Sequence, residues 1–185
     1  MIITLSLTSD IIIVVAIVMI LFIVLWYGLT MKRLYQLNVR ICEAQSGIDV
    51  ALEKRIHALV TIIAAICVEE NIGTETLSSV YEWHKGIPQN ATFTDKARLL
   101  KQLNTIADNI LNITKESANS KINTDSEELT IALNNSQIAM QMAIRHYNAI
   151  VIKLNKQISS FPQNIVANAI QIDKHPYFTN EDTDR

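Results

Sequence analysis

Glycine occurs at only four positions, 28, 47, 73 and 86, and none of these spacings makes a phosphate-cradling loop of the G-x-x-x-x-G-K or G-x-G-x-x-G type. Histidine is equally sparse. The residues three before His57, His84, His146 and His175 are Lys54, Tyr81, Ala143 and Ile172, so the Glu-x-x-His pairs that a di-iron helical bundle requires are absent. Neither H-E-x-x-H, G-x-S-x-G nor C-x-x-C occurs. Glu53 and His57 stand one helical turn apart, the ordinary spacing of a solvated helix-face contact rather than the mark of an acid–base pair. The sequence therefore predicts no catalytic, cofactor-binding or metal site and identifies no small-molecule substrate. The two cysteines, Cys42 and Cys67, fall in one predicted helix and lie roughly 37 Å apart along its axis, too far to bond within one chain. Two lone thiols suit a reducing compartment.

A strongly basic balance is also missing. The net charge is −2, and no cluster of cations is large enough to neutralise a run of phosphates, which excludes nucleic acid as the expected partner. Charge is missing altogether between Ile11 and Met31, where Ile11 to Leu25 is almost unbroken apolar sequence and Trp26 and Tyr27 follow at its edge. At about 1.5 Å per residue such a helix crosses a hydrocarbon core of roughly 30 Å, with the aromatic pair at headgroup depth. A cleaved signal peptide requires a basic n-region and a small-x-small site, neither of which is present. Lys32, Arg33 and Arg40 follow the span and no cation precedes it, so the positive-inside rule places the short N-terminus outside and the remainder in the cytoplasm. The alternative topology puts the bundle on the extracytoplasmic side.

Beyond the span, apolar residues recur in steps of three and four at Leu34, Leu37, Ile41, Ala44, Ile48, Leu52, Leu59, Ile62 and Ile66, a helical stripe continuous with the span. A short helix is predicted from Thr74 to about Lys85, closed by Gly86 and Pro88. A third runs from about Asp95 to Ser117 with a stripe at Leu100, Leu103, Ala107, Ile110, Thr114 and Ser117. The fourth opens with a capping box, Thr124 and Glu127, and carries Leu129, Leu133, Ser136, Met140, Ala143, Tyr147, Ile150, Leu154, Ile158 and Phe161 before Pro162 ends it. With no period-two run, the predicted fold is all-α: one N-terminal transmembrane helix, then an antiparallel bundle of about four helices with coiled-coil character.

Two features stand out from that pattern. Arg55 occupies the apolar stripe between Leu52 and Leu59, where a charge either snorkels to the bundle edge or pairs with a carboxylate from a facing helix; the expectation is a structural ion pair. The segment from Phe161 to Phe178 is apolar and aromatic but carries Asn164, Asn168, Gln171, Asp173, Lys174 and two prolines, which excludes a second span. It is expected to dock on its own bundle through Ile165, Val166, Ala169, Ile170 and Ile172, with Tyr177 and Phe178 as anchors; the alternative is a docking segment for a partner.

The block Ala44, Ser46, Ile48-Asp49-Val50, Leu52 and Arg55 after a single N-terminal span resembles the first-helix signature of the LemA family. Tyr147-Asn148, Phe161-Pro162 with Asn164, and Pro176-Tyr177-Phe178 follow in the family's order. The chain departs from the pattern at Gln45, where the family carries tryptophan, at Gly47, and at Val60-Thr61. The resemblance implies a membrane-anchored bundle of long helices and no particular reaction. The expected organisation is a short extracytoplasmic N-terminus (1–10), a transmembrane helix (11–31), a bundle (32–161) and a docking tail (162–185). The expected role is a non-enzymatic scaffold in the cell membrane that meets the bilayer and other proteins through helix faces, with oligomers open. The alternatives are an enzyme or regulatory subunit with an unrecognised site, and a cleaved, secreted bundle.

Overall fold

The computed structural model describes residues 2–67, 81, 85, 86, 88, 91–116 and 125–179, with side chains from residue 10 onward except at 65–67, 113–116, 125–127 and 129. Four helices order the described chain: α1 Ile2–Cys67, α2 Phe93–Glu116, α3 Asp125–Ser159 and α4 Gln163–Ala169. There is no strand among the described residues. The fold is all-α, an N-terminal apolar helix with packed helices behind it. The expected short helix at Thr74 to Lys85 and the Thr124–Glu127 capping box fall largely or wholly outside the described residues.

The chain forms two compact units. One is Met1–Ile41 with Ile150–His175; the other is Cys42–Ala149 with Pro176–Arg185. In the first unit every large apolar side chain from Ile11 to Leu25 is exposed, so this part of α1 is apolar on all sides. Among the described residues it is the one helix long and apolar enough to cross a membrane. The pattern changes at Thr30. From there Thr30, Leu34, Leu37 and Ile41 are buried, as are Val151, Leu154 and Ile158 of α3 and Val166 and Ala167 of α4. One-sided burial at steps of three and four is what a helix packed on its neighbours shows.

In the second unit the α1 stripe continues through Ala44, Ile48, Leu52, Leu59 and Ile62, with Ile56 and Ile63 beside it. It meets Leu100, Leu103, Ala107 and Ile110 of α2 and Leu133, Met140 and Tyr147 of α3 in one core. Helix directions follow from cross-helix contacts. Asp49 pairs with Lys96 and Arg55 bonds Asn104, so α1 and α2 run the same way. Arg55 also meets Ser136, while Gln45 meets Tyr147, so α3 runs antiparallel to both. Full burial of each Leu or Ile stabilises the core by about 1.5–3 kcal/mol.

Two boundaries differ from the sequence expectation, and one short helix is additional to it. α2 starts at Phe93 rather than Asp95, because Thr92 caps it: the Asp95 amide donates to the Thr92 hydroxyl at 3.2 Å, and the Asp95 carboxylate accepts from the Thr92 hydroxyl and amide at 2.7 and 3.0 Å. This is a reciprocal cap with aspartate in the place usually held by glutamate. α3 ends at Ser159, so the stripe stops at Ile158 and Phe161 is 80% exposed, while Val151 takes a core place not foreseen. The 3.6-residue turn carries the buried line from Tyr147 to Val151, Leu154 and Ile158. α4 closes with Ile172 N–H donating to Ala167 O and Gln171 N–H to Asn168 O, the double bond of a Schellman ending, with Gln171 at φ 54° in a place usually held by glycine.

Hydrogen bonds from Thr92 hold the Asp95 carboxyl below its ordinary pKa. A depressed folded pKa adds stability that is complete above the unfolded value of about 4 and is lost as pH falls through the folded value. Thr92→Ala is expected to cost about 1 kcal/mol at pH 7. The difference between wild type and Asp95→Asn should shrink below about pH 4 when thermal unfolding of the detergent-solubilised protein is followed by circular dichroism.

Candidate functional site

The polar groups that the helices bring together fall into a buried cluster in the second unit and a pair of tail clasps, one in each unit. Arg55 heads the cluster. It is 3% exposed between fully buried Leu52 and Leu59. Its Nη2 donates to Asn104 Oδ1 at 2.7 Å and its Nη1 reaches Ser136 Oγ at 3.5 Å, while the Ser136 hydroxyl donates to Leu133 O at 2.7 Å. The hydrogen-bond partners of Arg55 among the described residues are thus an amide and a hydroxyl from two facing helices. Asp108, one turn beyond Asn104, acts on the guanidinium electrostatically. Burial pushes the Arg55 pKa down and Asp108 pulls it back up. Arginine starts so far above neutrality that it stays charged, and it cannot serve as a proton donor or acceptor. The cluster pins the register of three helices.

Asn104 was missed in the sequence because it flanks the α2 stripe rather than lying in it. The signal was its position one turn before Asp108, which places an amide and a carboxylate on one helix edge. Asp49 pairs with Lys96, whose ammonium lies 6.0 Å from the centre of the Phe93 ring. Phe93 stands 5.1 Å from the Tyr147 ring and 5.8 Å, edge to face, from Phe178. Aromatic pairs in this range add about 0.5–1.5 kcal/mol beyond their buried area.

The tail is gripped by asparagines. In the second unit Asn148 Nδ2 donates to Phe178 O at 2.8 Å and Phe178 N–H donates to Asn148 Oδ1 at 2.9 Å. Tyr147, fully buried, donates its hydroxyl to Pro176 O at 2.8 Å. Burial raises the Tyr147 pKa, with a hydrogen bond from Gln45 working against it. In the first unit Asn155 repeats the device on His175, donating to its carbonyl at 2.9 Å and accepting from its amide at 3.0 Å, while His175 Nε2 donates to Asn38 Oδ1 at 3.0 Å. A side-chain amide presents one donor and one acceptor side by side, so it satisfies both backbone groups of an extended residue at once. Asn155 and Asn38 were not singled out in the sequence, since asparagine on a helix reads as surface.

The other predicted positions scatter. Ala44, Ile48 and Leu52 are core, Ser46 and Val50 face out, and Pro162 and Asn164 are half-buried at the start of α4. Of the expected docking side chains Val166 is buried, together with the unforeseen Ala167, whereas Ile165 and Tyr177 are exposed and Phe178 is buried. Glu53, His57 and His146 lie on exposed faces. Among the described residues no three His, Cys, Asp or Glu side chains gather as metal ligands.

Removing Asn148 strands two backbone groups. Asn148→Ala should cost about 2 kcal/mol, and Asn148→Asp more at neutral pH, because its carboxylate opposes the Phe178 carbonyl. Arg55→Met should cost about 1–3 kcal/mol by leaving Asn104 without its donor, and Arg55→Ala more, since a cavity is added. Urea or thermal unfolding of the full chain in detergent measures both series.

No curated protein and no solved structure matches the chain. The model of the LemA family matches residues 44–185, from the first core alanine of the second unit through the clasped tail. The chain belongs to the LemA family.

Proposed function

We propose that the protein is a non-enzymatic, single-pass membrane scaffold whose helix faces hold partner proteins at the cytoplasmic surface of the cell membrane. The observation that carries this reading is a second apolar line on α3. Leu133, Met140 and Tyr147 face the core, yet Ile131, Ile138 and Met142 on another side of the same helix are 52, 53 and 65% exposed. Their spacing of seven and four residues makes a continuous stripe, flanked by the uncharged and exposed Asn134, Asn135 and Gln141. A stripe of this width fits the apolar face of another amphipathic helix. Supporting the orientation, Lys32, Arg33 and Arg40 follow the apolar run and no cation precedes it. The tail, held through backbone groups, serves this reading as a brace and leaves the α3 face free.

Two measurements test the proposal. A photoreactive side chain at Ile138 should crosslink a discrete protein in native membranes, and Met142→Asp should abolish that crosslink without changing the unfolding temperature. Uniform, unselective labelling defeats the scaffold reading. Cys42 is exposed and sits just beyond the basic residues, so it reports topology. A membrane-impermeant maleimide should label Cys42 only after the cells are permeabilised; labelling in intact cells reverses the orientation.

A further inference from the structure

We propose that a cleft beside the end of the apolar run binds the phosphate-bearing headgroup of an anionic membrane lipid. The cleft has a volume of about 220 Å³ and belongs entirely to the first unit, lined by Arg33, Gln36, Leu37 and Arg40 of α1 and Lys153 and Gln157 of α3. Three cations, two side-chain amides and one buried leucine form the set. Among the described residues none of the three cations has a carboxylate oxygen within 4.0 Å. Three cations lining one cleft, with no carboxylate that close among the described residues, suit an anion, and guanidinium forks match phosphate oxygens in pairs.

Charge distribution supports the same assignment. The first unit holds Lys32, Arg33, Arg40, Lys153, Lys156 and Lys174 against Asp10 and Asp173. Asp10 lies at the opposite end of the apolar run. The chain as a whole carries 16 Lys and Arg against 18 Asp and Glu, so the first unit has a net charge of +4 and the remainder −6.

Depth selects lipid over a soluble phosphate. The headgroup layer adds roughly 5–8 Å to each side of the hydrocarbon core. Counting from Met31 at about 1.5 Å per residue, Arg33 stands about 3 Å and Gln36 about 7.5 Å beyond the apolar run, within that layer. Arg40 stands about 13 Å out. Helical side chains lean toward the N-terminus, which on α1 is toward the apolar run, so its long stem brings the guanidinium back to headgroup level. Leu37 supplies an apolar wall for the glycerol end of the lipid. Arg33 and Arg40 alone would serve as a topology signal, but Lys153 comes from a different helix and is far from the span in sequence, which a topology signal does not require.

The inference rests on membrane anchoring of α1 and is independent of the partner protein and of which leaflet is met. The test uses the full chain in nanodiscs and native mass spectrometry after gentle detergent release. Wild type is compared with Lys153→Gln, with the triple variant Arg33→Gln, Arg40→Gln, Lys153→Gln, and with Lys153→Arg, in phosphatidylglycerol, in phosphatidylcholine, and in phosphatidylcholine with inorganic phosphate. Wild type and Lys153→Arg should retain phosphatidylglycerol and unfold at a higher temperature with it. The triple variant should bind it about tenfold more weakly or worse, and Lys153→Gln should fall between, with no difference in phosphatidylcholine. Equal retention by wild type and both Gln variants overturns the proposal. So does stabilisation by inorganic phosphate that matches the lipid, which assigns the cleft to a soluble anion. Failure of wild type to enter nanodiscs of either lipid overturns it by a different route, through the anchoring itself, and takes the membrane scaffold with it, whereas loss of lipid selectivity alone leaves the Ile138 crosslink in native membranes unaffected.

Discussion

One uninterrupted helix must satisfy two kinds of surroundings in succession. α1 runs from Ile2 to Cys67 without a break. Its early part is apolar all round, whereas from Thr30 onward it buries one line of residues and exposes the rest. Because a helix has a single register, the angular position of Leu34 determines that of Leu37 and Ile41 in the first unit, and that of Ile48 determines Leu52 and Leu59 in the second. No loop interrupts the helix, and Gly47 lies within it as a helical residue. Leu34, Ile41, Ile48, Leu52 and Leu59 are each fully buried, so an inserted residue anywhere in this stretch rotates every later side chain by about 100° and turns part of the core stripe outward.

A stripe made only of Leu, Ile and Ala packs nearly as well when helices slide by a turn, and polar contacts remove that freedom. Arg55 reaches Asn104 and Ser136 at once, so a slip of either facing helix strands a buried charge. The tail is fixed by the same logic but with backbone partners. Asn148 and Asn155 each take one residue's amide and carbonyl, which specifies chain direction and position while the tail's own side chains contribute unevenly: Phe178 is buried and Tyr177 is not. Backbone recognition explains how a segment carrying Asp173 and Lys174 is held at all.

Periodicity revealed most of the architecture because burial on a helix is a repeating property. The α1 stripe from Leu34 to Ile62 and the α2 stripe from Leu100 to Ile110 are core in the structure. Their ends were harder to read, since termini depend on local hydrogen bonds: the Thr92–Asp95 cap moved the start of α2, and the end of α3 at Ser159 released Phe161. Arg55 was conspicuous because charge interrupts an apolar pattern. Asn38, Asn104 and Asn155 were invisible for the opposite reason, as asparagine among polar neighbours carries no sign of whether its amide meets water or another chain segment. The basic cleft was half legible: Arg33 and Arg40 announced themselves beside the apolar run, but only folding brings Lys153 to them.

The central claim is that α1 runs unbroken from a stretch apolar and exposed on all sides to one buried along a single line. Nitroxide labels placed one at a time from residue 20 to residue 60 of the full chain in bilayers, with oxygen and a polar relaxation agent as collision partners, test it most directly. The account predicts high oxygen access on every side up to Leu29, then oscillation with a period of 3.6 residues whose minima fall at 34, 37, 41, 48, 52 and 59 in one phase. A phase jump between 30 and 42, or a loss of oscillation there, would show two helices joined by a hinge and contradict it.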